Sequence, residues 1–287
     1  MPDNLIKRVC RLTALPLTGP TLTNVINELL PDDVAAVTSL GDDVFVLRMR
    51  SRQQVEVYNA VNCKLQRQIT VHGLGIYTFG LAACAHNKCL YVSDSSWYIH
   101  RVKLRFGNAA KKWFVGDHPR GLSVNKAHNV VVTCSIVNKL KEYTTDGSLV
   151  REICLQAGAT DPWHAVQLSS GDYAVSLYTS QVVVSVVRAD GQVRRSYGRS
   201  QTSDEGQKKY GARLTVTKSD DILVADQANN RILSVDSSLS SVQELTLPVV
   251  GGMQRPRGLC LDESRGRLYV GESVGSCRVL VFDNVKL

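Results

Sequence analysis

The sequence predicts an all-β protein: a six-bladed β-propeller of four-stranded antiparallel blades whose last blade is closed by the N-terminal strand. Three observations favour this fold. A β-rich run recurs along the chain, companion strands stand in a fixed order around each copy, and tight-turn dipeptides separate them. Repeats of about 40 to 45 residues with four short strands are typical of propeller blades.

The recurring run consists mainly of β-branched and aliphatic residues. Its six copies begin at Val44, Leu90, Val130, Tyr173, Ile222 and Leu268. Their first residues lie 46, 40, 43, 49 and 46 positions apart. This spacing predicts six equivalent units in one domain spanning residues 1–287, rather than two unrelated domains.

Companion strands complete each repeat. In the third repeat, residues 121–124 form the preceding strand and residues 140–143 the following one. Asp146-Gly147 and Asp190-Gly191 are hairpin turns that lead into a fourth strand. The predicted blades span about 33–73, 76–119, 120–162, 163–210, 211–256 and 257–287.

The last repeat has only three strands before the sequence ends at Leu287. An open ring would leave unpaired strand edges, so a strand from the other end of the chain is expected to complete this blade. We predict that residues 4–15 supply it, with residues 16–33 as a connector. Within the connector, residues 22–30 are expected to form a short helix.

The composition restricts the class of protein. The chain has 287 residues, a net charge of +8 and a pI near 9.1. No apolar run approaches the length of a membrane span, and residues 1–20 lack the apolar core of a signal peptide. A monomeric cytoplasmic protein without cofactor or membrane insertion is therefore expected. Cysteines inside apolar strand patterns are expected to be buried thiols: Cys10, Cys84, Cys154, Cys260 and Cys277.

Two segments resemble a known repeat family. Residues 224–233, V-A-D-Q-A-N-N-R-I-L, resemble the core of the NHL repeat, and residues 255–262 resemble the opening of an NHL blade. The other repeats keep the strands without the Asn-Asn-Arg box. The chain is thus similar to the C-terminal propellers of tripartite-motif (TRIM-NHL) ubiquitin ligases.

This resemblance implies a non-catalytic recognition module. NHL propellers of such ligases bind protein or RNA partners, so a protein partner is expected first, for example in substrate recognition linked to ubiquitination. An RNA-binding post-transcriptional regulator is the alternative. No RING, B-box or coiled coil precedes the repeats in this sequence, so ligase activity of the chain itself is not expected.

The candidate binding residues lie in loops that a propeller places on one face. Loops that lead into each blade's first strand contain His72, Tyr77, His118, Arg120, Trp163, His164, Lys208, Tyr210, Arg213, Arg255 and Arg257. Loops between second and third strands contain Arg48, Arg50, Arg52, Trp97, Tyr98, Tyr178, Asn230, Arg231 and Arg278. The opposite loops are richer in aspartate.

A face of this kind fits two ligand classes. Arginine and lysine neutralise phosphates while tryptophan and tyrosine stack on the unpaired bases of single-stranded or hairpin RNA. The same residue types are enriched in protein-interface hot spots. Structural roles compete with both: Arg231 could brace neighbouring blades, and Trp97 or Trp163 could be packing caps.

A metal-dependent lactonase or lyase is the second alternative. Asp94, Asp226 and Glu272 follow second strands at comparable points, where they could converge on the channel. Divalent cations need several such donors at one point. Cys84, His86 and Cys89 are spaced like half a zinc site, but no second ligand pair lies nearby. The expected metal content is therefore none.

Overall fold

The computed structural model describes residues 19–27, 32–50, 53–104, 110–198, 207–273 and 277–285. These residues form six antiparallel sheets, and the first strands of successive sheets contact one another around a central channel. No helix occurs among the described residues, and consequently none has the length and apolarity needed to cross a membrane. The protein is the predicted six-bladed propeller.

The first three blades consist of strands that follow one another in sequence from the channel outward. Blade one contains β2 (Val34–Leu40), β3 (Asp43–Arg48), β4 (Gln54–Asn59) and β5 (Leu65–Thr70). Blade two contains β6 (Thr78–Cys84), β7 (Cys89–Asp94), β8 (Tyr98–Lys103) and β9 (Ala110–Phe114). Blade three contains β10 (Pro119–Val124), β11 (Val130–Cys134), β12 (Lys139–Tyr143) and β13 (Leu149–Cys154).

Blades four and five repeat this order, and blade six borrows a strand. Blade four contains β14 (Pro162–Gln167), β15 (Tyr173–Thr179), β16 (Val184–Val187) and β17 (Val193–Tyr197), with the short β18 (Tyr210–Gly211) paired to β15. Blade five contains β19 (Leu214–Val216), β20 (Ile222–Asp226), β21 (Arg231–Val235) and β22 (Val242–Glu244). Blade six contains β23 (Pro256–Asp262), β24 (Arg267–Glu272), β25 (Val279–Asp283) and β1 (Thr21–Ile26).

The strand that closes the ring is β1, which pairs antiparallel with β25. The predicted closing segment, residues 4–15, lies outside the described residues. The helix expected from residue 22 onward is wrong for residues 22–26, which are extended. Leu22 and Val25 pack on the core between blades five and six, while Ile26 is buried between blades six and one. The open edge of β25 beside this segment favours a strand over a helix, because an unpaired strand edge is a template for a further strand.

The core is divided among the interfaces between blades. Six clusters of buried apolar side chains each join two neighbouring blades. The cluster between blades six and one contains Tyr269, Val281 and Val44, so the ring is closed by apolar packing as well as by strand pairing. Such burial stabilises a fold by roughly 25 cal/mol per Å² of apolar surface.

Glycines allow the first strands to crowd near the channel. A Cβ at Gly121 would lie 2.6 Å from the carbonyl oxygen of Trp163, and one at Gly271 would lie 2.4 Å from Val34. Both distances are below any real contact, so the close approach of these blades requires glycine.

The cysteine predictions have mixed outcomes. Cys84 and Cys277 are buried. Cys154 is exposed, because it belongs to the outermost strand of blade three, where only Ile153 is buried. Cys260 is half-buried beside the channel, and Cys10 lies outside the described residues.

Candidate functional site

Two sets of loops share one side of the ring, which we call the upper face. One set leads into the first strand of each blade, and the other joins second to third strands. Backbone hydrogen bonds tie the sets together: Ser95 N donates to Tyr77 O (2.8 Å), and Tyr178 N donates to Asp161 O (2.9 Å). The loops that the sequence predicts on one face do lie together.

The first strands begin at the upper face, and one residue from each blade occupies the equivalent position at that end of the channel. Five of these are second residues of first strands, and the sixth directly precedes β19. The set is Ala35, Phe79, Arg120, Trp163, Arg213 and Arg257. We call it the mouth ring. Below it, the channel holds a cavity of about 160 Å³ that Arg213 and His164 help to line.

Trp163 is the central packing element of the mouth ring and is only 5% exposed. Its indole stacks on Tyr178, with centroids 5.1 Å apart and planes inclined by 16°. A Cβ at Gly211 would lie 2.0 Å from the indole, so only glycine fits beside it. Trp163 is therefore a packing cap that β15 and β18 enclose within blade four.

Two arginines of the mouth ring lie over this indole. The guanidinium carbon of Arg120 is 5.1 Å from the Trp163 centroid, and that of Arg257 is 5.7 Å from it. Arg120 also lies 5.1 Å from the ring of Phe79. These distances are those of cation–π contacts, which hold both guanidinium groups at the mouth.

Arg213 reaches across the channel from blade five. Its Nη2 donates to the carbonyl oxygens of Phe79 and of Arg120 (3.3 Å to the latter), which belong to blades two and three. Its side chain is almost completely buried. Arg213 thus braces the ring across the axis, a role that the sequence does not reveal.

The three arginines form no ion pair with any carboxylate that the structure describes. Burial, followed by the charges of Arg257 and Arg120, lowers the pKa of Arg213 to about 9. Burial also lowers the pKa of Arg257 to about 10, partly opposed by the charge of Asp33. Both groups remain protonated at neutral pH, so the mouth of the channel carries concentrated positive charge.

Three buried N–H donors of the mouth ring have no acceptor among the described residues. They are Nε of Arg213, Nε of Arg257 and Nε1 of Trp163. A buried donor without a partner costs about 1–3 kcal/mol. Few such groups are expected in a folded protein, and their concentration at one place marks this site.

His164, the next residue after Trp163, is fully enclosed. Its Nδ1 accepts from Leu214 N (3.2 Å) and its Nε2 donates to Leu122 O (3.1 Å), so it connects blades three, four and five. Burial, together with the charge of Arg213, lowers the pKa of His164 to about 3. The side chain is neutral and buried in the wall of the channel. It is not exposed on the upper face, where the sequence predicts a partner-binding residue.

Several predicted cations are engaged inside the protein. Arg48 is buried, with Nε donating to Glu56 (3.2 Å) and Nη1 to Cys277 O (2.5 Å). Arg278 pairs with Glu272 at 2.8 Å.

Arg231 pairs with Asp226 at 2.9 Å and with Glu244 at 3.3 Å. Its contacts stay within blade five, so it does not brace neighbouring blades. The Asn230 side chain accepts from Arg255 N (2.8 Å) and fixes the loop into blade six. Internal hydrogen bonds and ion pairs therefore engage Asn230, Arg231, Arg48 and Arg278.

Exposed apolar side chains form an arc on the upper face of blades one to three. Its members are Ile76, Tyr77, Trp97, Phe114, Ile136 and Val137, which are 40–78% exposed. We call them the apolar arc. The loops that carry them are joined by hydrogen bonds, such as Val115 N to Trp97 O (2.9 Å) and Val137 N to Asp117 (3.3 Å).

Cations flank the apolar arc. Arg50 lies 5.9 Å from the ring of Tyr77, and Lys112 lies 4.5 Å from the ring of Tyr98. A hollow of about 360 Å³ opens beside Ile76 and Arg50. The sequence analysis named Tyr77, Trp97 and Tyr98 here but missed the aliphatic members, because isolated apolar residues in loops carry no periodic signal.

The remaining predicted residues are distributed around the upper face. Tyr210 lies between Lys208 (5.8 Å) and Arg255 (5.9 Å). His118 packs edge-on against Phe79 at 4.9 Å. His72 is exposed, and Arg52 lies outside the described residues. Phe79 was missed, although it precedes Gly80 just as Arg120 precedes Gly121.

The acidic residues considered as metal ligands accept hydrogen bonds from backbone N–H groups of the upper-face loops. Asp94 accepts from Gly75 N (2.8 Å) and contacts His100 Nε2 (2.8 Å). Glu272 accepts from Gln254 N (2.8 Å) and pairs with Arg278. Asp94 and Glu272 thus each join an upper-face loop to a side chain of the following strand.

No group of three or more His, Cys, Asp or Glu side chains within the described ranges is arranged to hold a metal ion. In the segment spaced like half a zinc site, His86 stacks on His128 of blade three with centroids 4.1 Å apart. Asn87 N donates to the sulfur of Cys84 at 3.4 Å. That segment joins blades two and three.

The hairpins on the opposite side, the lower face, interlock neighbouring blades. Lys126 Nζ donates to Ser169 O (3.2 Å), and Ser169 N donates to Asp220 (2.8 Å). Arg265 of blade six pairs with Asp42 of blade one at 2.5 Å. Polar groups of the lower face therefore serve the closure of the ring.

Comparison with known proteins identifies the fold alone. No sequence family and no curated protein sequence matches the chain. The hydrazine synthase of Kuenenia stuttgartiensis is similar in structure with a TM-score of 0.64 at 15% identity, covering 89% of this chain and 96% of that one. A streptogramin B lyase gives 0.62 at 12% identity, with 91% and 96% covered. The WD40 propeller domain of Doa1 gives 0.62 at 14% identity, with 92% and 97% covered.

These similar structures include enzymes as well as a WD40 domain. At such identities they show a shared propeller and no shared activity. The NHL resemblance finds no support from these searches.

Proposed function

We propose that this propeller is a recognition module that binds a protein partner on its upper face. The observation that carries the proposal is the apolar arc. Large exposed apolar side chains that adjoin one another mark interaction sites on soluble proteins, whereas scattered ones need no explanation. Here Trp97 and Phe114 adjoin, with ring centroids 6.1 Å apart, and the other members lie in neighbouring loops of blades one to three.

The composition of the apolar arc matches that of protein interfaces. Trp97, Tyr77 and Phe114 supply aromatic anchors, and Ile136 and Val137 extend the apolar surface. Arg50 and Lys112 form a polar rim. Aromatic and arginine side chains dominate interface hot spots, and a rim of charge around an apolar centre is the usual arrangement.

The structure favours a protein over RNA. Arg48, Arg231 and Arg278, which the sequence analysis named as candidate partner-binding residues, are already paired with carboxylates. A nucleic-acid surface depends on free cations in number. The apolar arc offers instead a run of exposed apolar side chains, which is a surface suited to a protein.

The test compares the partners captured by three forms of the full chain. Trp97→Ser with Ile136→Ser disrupts the apolar arc. The matched control, Leu149→Ser with Val150→Ser, removes two similarly exposed apolar side chains from β13, at its lower end. Each form is immobilised and exposed to cell extract with and without nuclease, after its melting temperature has been compared with that of the wild type.

The proposal expects proteins that the wild type and the control retain and that the arc variant releases, irrespective of nuclease. Cross-links from those proteins should map to residues 74–77, 95–98 and 135–138. If the arc variant retains the same proteins as the wild type, or if nuclease releases them all, the proposal is wrong.

A further inference from the structure

We propose that the mouth ring is a receptor for a phosphoryl group, which the protein partner presents at the centre of the upper face. This inference rests on the proposed function for the identity of the partner, but the anion site itself is argued from the mouth ring alone. The apolar arc supplies contact area, and the mouth ring would read one chemical group.

The first argument is convergence. Arg120, Arg213 and Arg257 come from three different blades, yet each lies close enough to lower the pKa of another or to share the indole of Trp163. Three like charges at one place repel each other. Such an arrangement becomes favourable when an anion lies among them.

The second argument is unused hydrogen-bonding capacity. Arg213 Nε, Arg257 Nε and Trp163 Nε1 are buried donors without a described acceptor. Arg257 Nη1 donates to the sulfur of Met49 at 3.8 Å, and a thioether sulfur is a weak acceptor. A ligand rich in acceptors would satisfy donors that the protein leaves unmatched.

The third argument is the contrast with arginines nearby. Arg231 and Arg278 lie on the same face, and each is matched to a buried carboxylate. The positive charge of these two arginines is thus neutralised within the protein. At the mouth, Asp33 and Asp161 influence Arg257 and Arg120 from a distance, but neither forms an ion pair with them.

The charge favours a phosphoryl group over a carboxylate. A phosphate monoester carries close to two negative charges and three strong acceptor oxygens, whereas a carboxylate has one charge and two oxygens. Three guanidinium groups offer forked donors suited to several oxygens at once. A phosphorylated side chain therefore matches both the charge and the number of donors.

The anion site is tested with inorganic phosphate and the full chain at pH 8 and constant ionic strength. Binding is followed by melting temperature and by tryptophan fluorescence, since Trp163 lies in the site. The wild type should show a saturable response. Arg257→Gln and Arg120→Gln should each weaken phosphate binding about tenfold, the loss expected for one charge-assisted hydrogen bond.

The matched control is Arg231→Gln, which removes the same charge from the same face but from an arginine that is already paired. It should alter phosphate affinity less than about twofold. Equal weakening in this control, or the absence of saturation in the wild type, would overturn the site. Acetate bound as tightly as phosphate and lost in Arg257→Gln would overturn the phosphoryl assignment.

A second arm separates this inference from the proposed function. Proteins captured by the wild type are treated with phosphatase before rebinding. Release by phosphatase and by Arg257→Gln supports the phosphoryl receptor. Retention in both cases, with release by the arc variant, refutes the receptor while leaving the protein-binding function intact.

Discussion

Arg265 on the lower face and Arg213 in the mouth ring both span blades, but they do so in opposite surroundings. Arg265 meets two carboxylates, Asp42 and Asp262, and the carbonyl oxygen of Gly41. Arg213 meets two carbonyl oxygens and the positive field of two other arginines, and its Nε is unmatched. The first arrangement is complete within the protein; the second is complete only with an anion.

This contrast shows that the number of charged side chains on a face differs from the number that are free to bind a ligand. On the upper face, many arginines are consumed by internal pairs. The lower face likewise uses its acidic residues to join hairpins of neighbouring blades. The arginines of the mouth ring, which form no ion pair among the described residues, remain for a ligand.

The largest expected effect concerns the packing on which the mouth ring depends. Trp163→Ala removes the indole that Tyr178 and Gly211 enclose, and it should lower the free energy of unfolding by about 3–5 kcal/mol. Chemical denaturation measures this. Trp97→Ala, at an exposed site, should cost less than about 1 kcal/mol. Equal costs would mean that the mouth ring is not part of the core.

The second effect is a dependence of stability on pH, which His164 and the lower-face Asp262 should cause in different pH ranges. The pKa of His164 lies near 3 in the folded protein and near 6.5 when unfolded, so only the unfolded state takes up this proton between those values. Stability should therefore fall as pH falls below 6.5, by about 2 kcal/mol between pH 7 and pH 5. His164→Gln should flatten the dependence of denaturation midpoint on pH in this range.

On the lower face, burial alone would raise the pKa of Asp262, but hydrogen bonds from Ser264 and Arg265 lower it overall. This carboxylate stabilises the fold above its unfolded pKa and loses that contribution only in more acidic solution. An unchanged midpoint between pH 7 and pH 5 in the wild type would contradict the buried neutral state of His164.

The third effect tests the lower face alone. Arg265→Ala breaks the contacts between blades six and one and should lower the free energy of unfolding by about 1 kcal/mol, because the pair is partly exposed. Arg188→Ala, which breaks an exposed pair with Asp190 inside one hairpin, should have a smaller effect. A loss of phosphate binding in Arg265→Ala would contradict the separation of the two faces.

The smallest effect is expected at the mouth itself. Arg257→Gln removes no ion pair and relieves repulsion with Arg120, so the free energy of unfolding should change by less than about 0.5 kcal/mol. Denaturation in buffer without phosphate measures it. A decrease in the free energy of unfolding comparable to that of Trp163→Ala would indicate that Arg257 has a structural role, as Arg265 has on the lower face.

The repeat made the six-bladed architecture predictable. The secondary structure of residues 21–26 was not predictable, because their local pattern fits both a helix and a strand. Six spaced runs of β-branched residues predict six sheets because central strands are buried on both sides. Segment 21–26 was misread because its apolar residues also fit a helical spacing, while the decisive factor was the open edge of β25. That edge is a tertiary feature.

The sequence could assign candidate residues to loops of the upper face, but it could not tell their roles. Arg257 and Arg231 look alike in the sequence, since both lie in loops of the upper face. Whether an arginine is paired depends on carboxylates such as Asp226 that come close only in the folded chain. Phe79 could have been found by aligning the repeats on Gly80, Gly121 and Gly258, since Phe79, Arg120 and Arg257 directly precede these glycines.

The six apolar clusters between blades form a cycle, and this has a consequence for unfolding. In a linear repeat array, an end unit can fray at the loss of a single contact surface. In this ring no blade is terminal, so detaching any one of them breaks two contact surfaces at once. The molecule should therefore resist partial opening and melt as a whole, holding the geometry of its axis until the entire structure gives way.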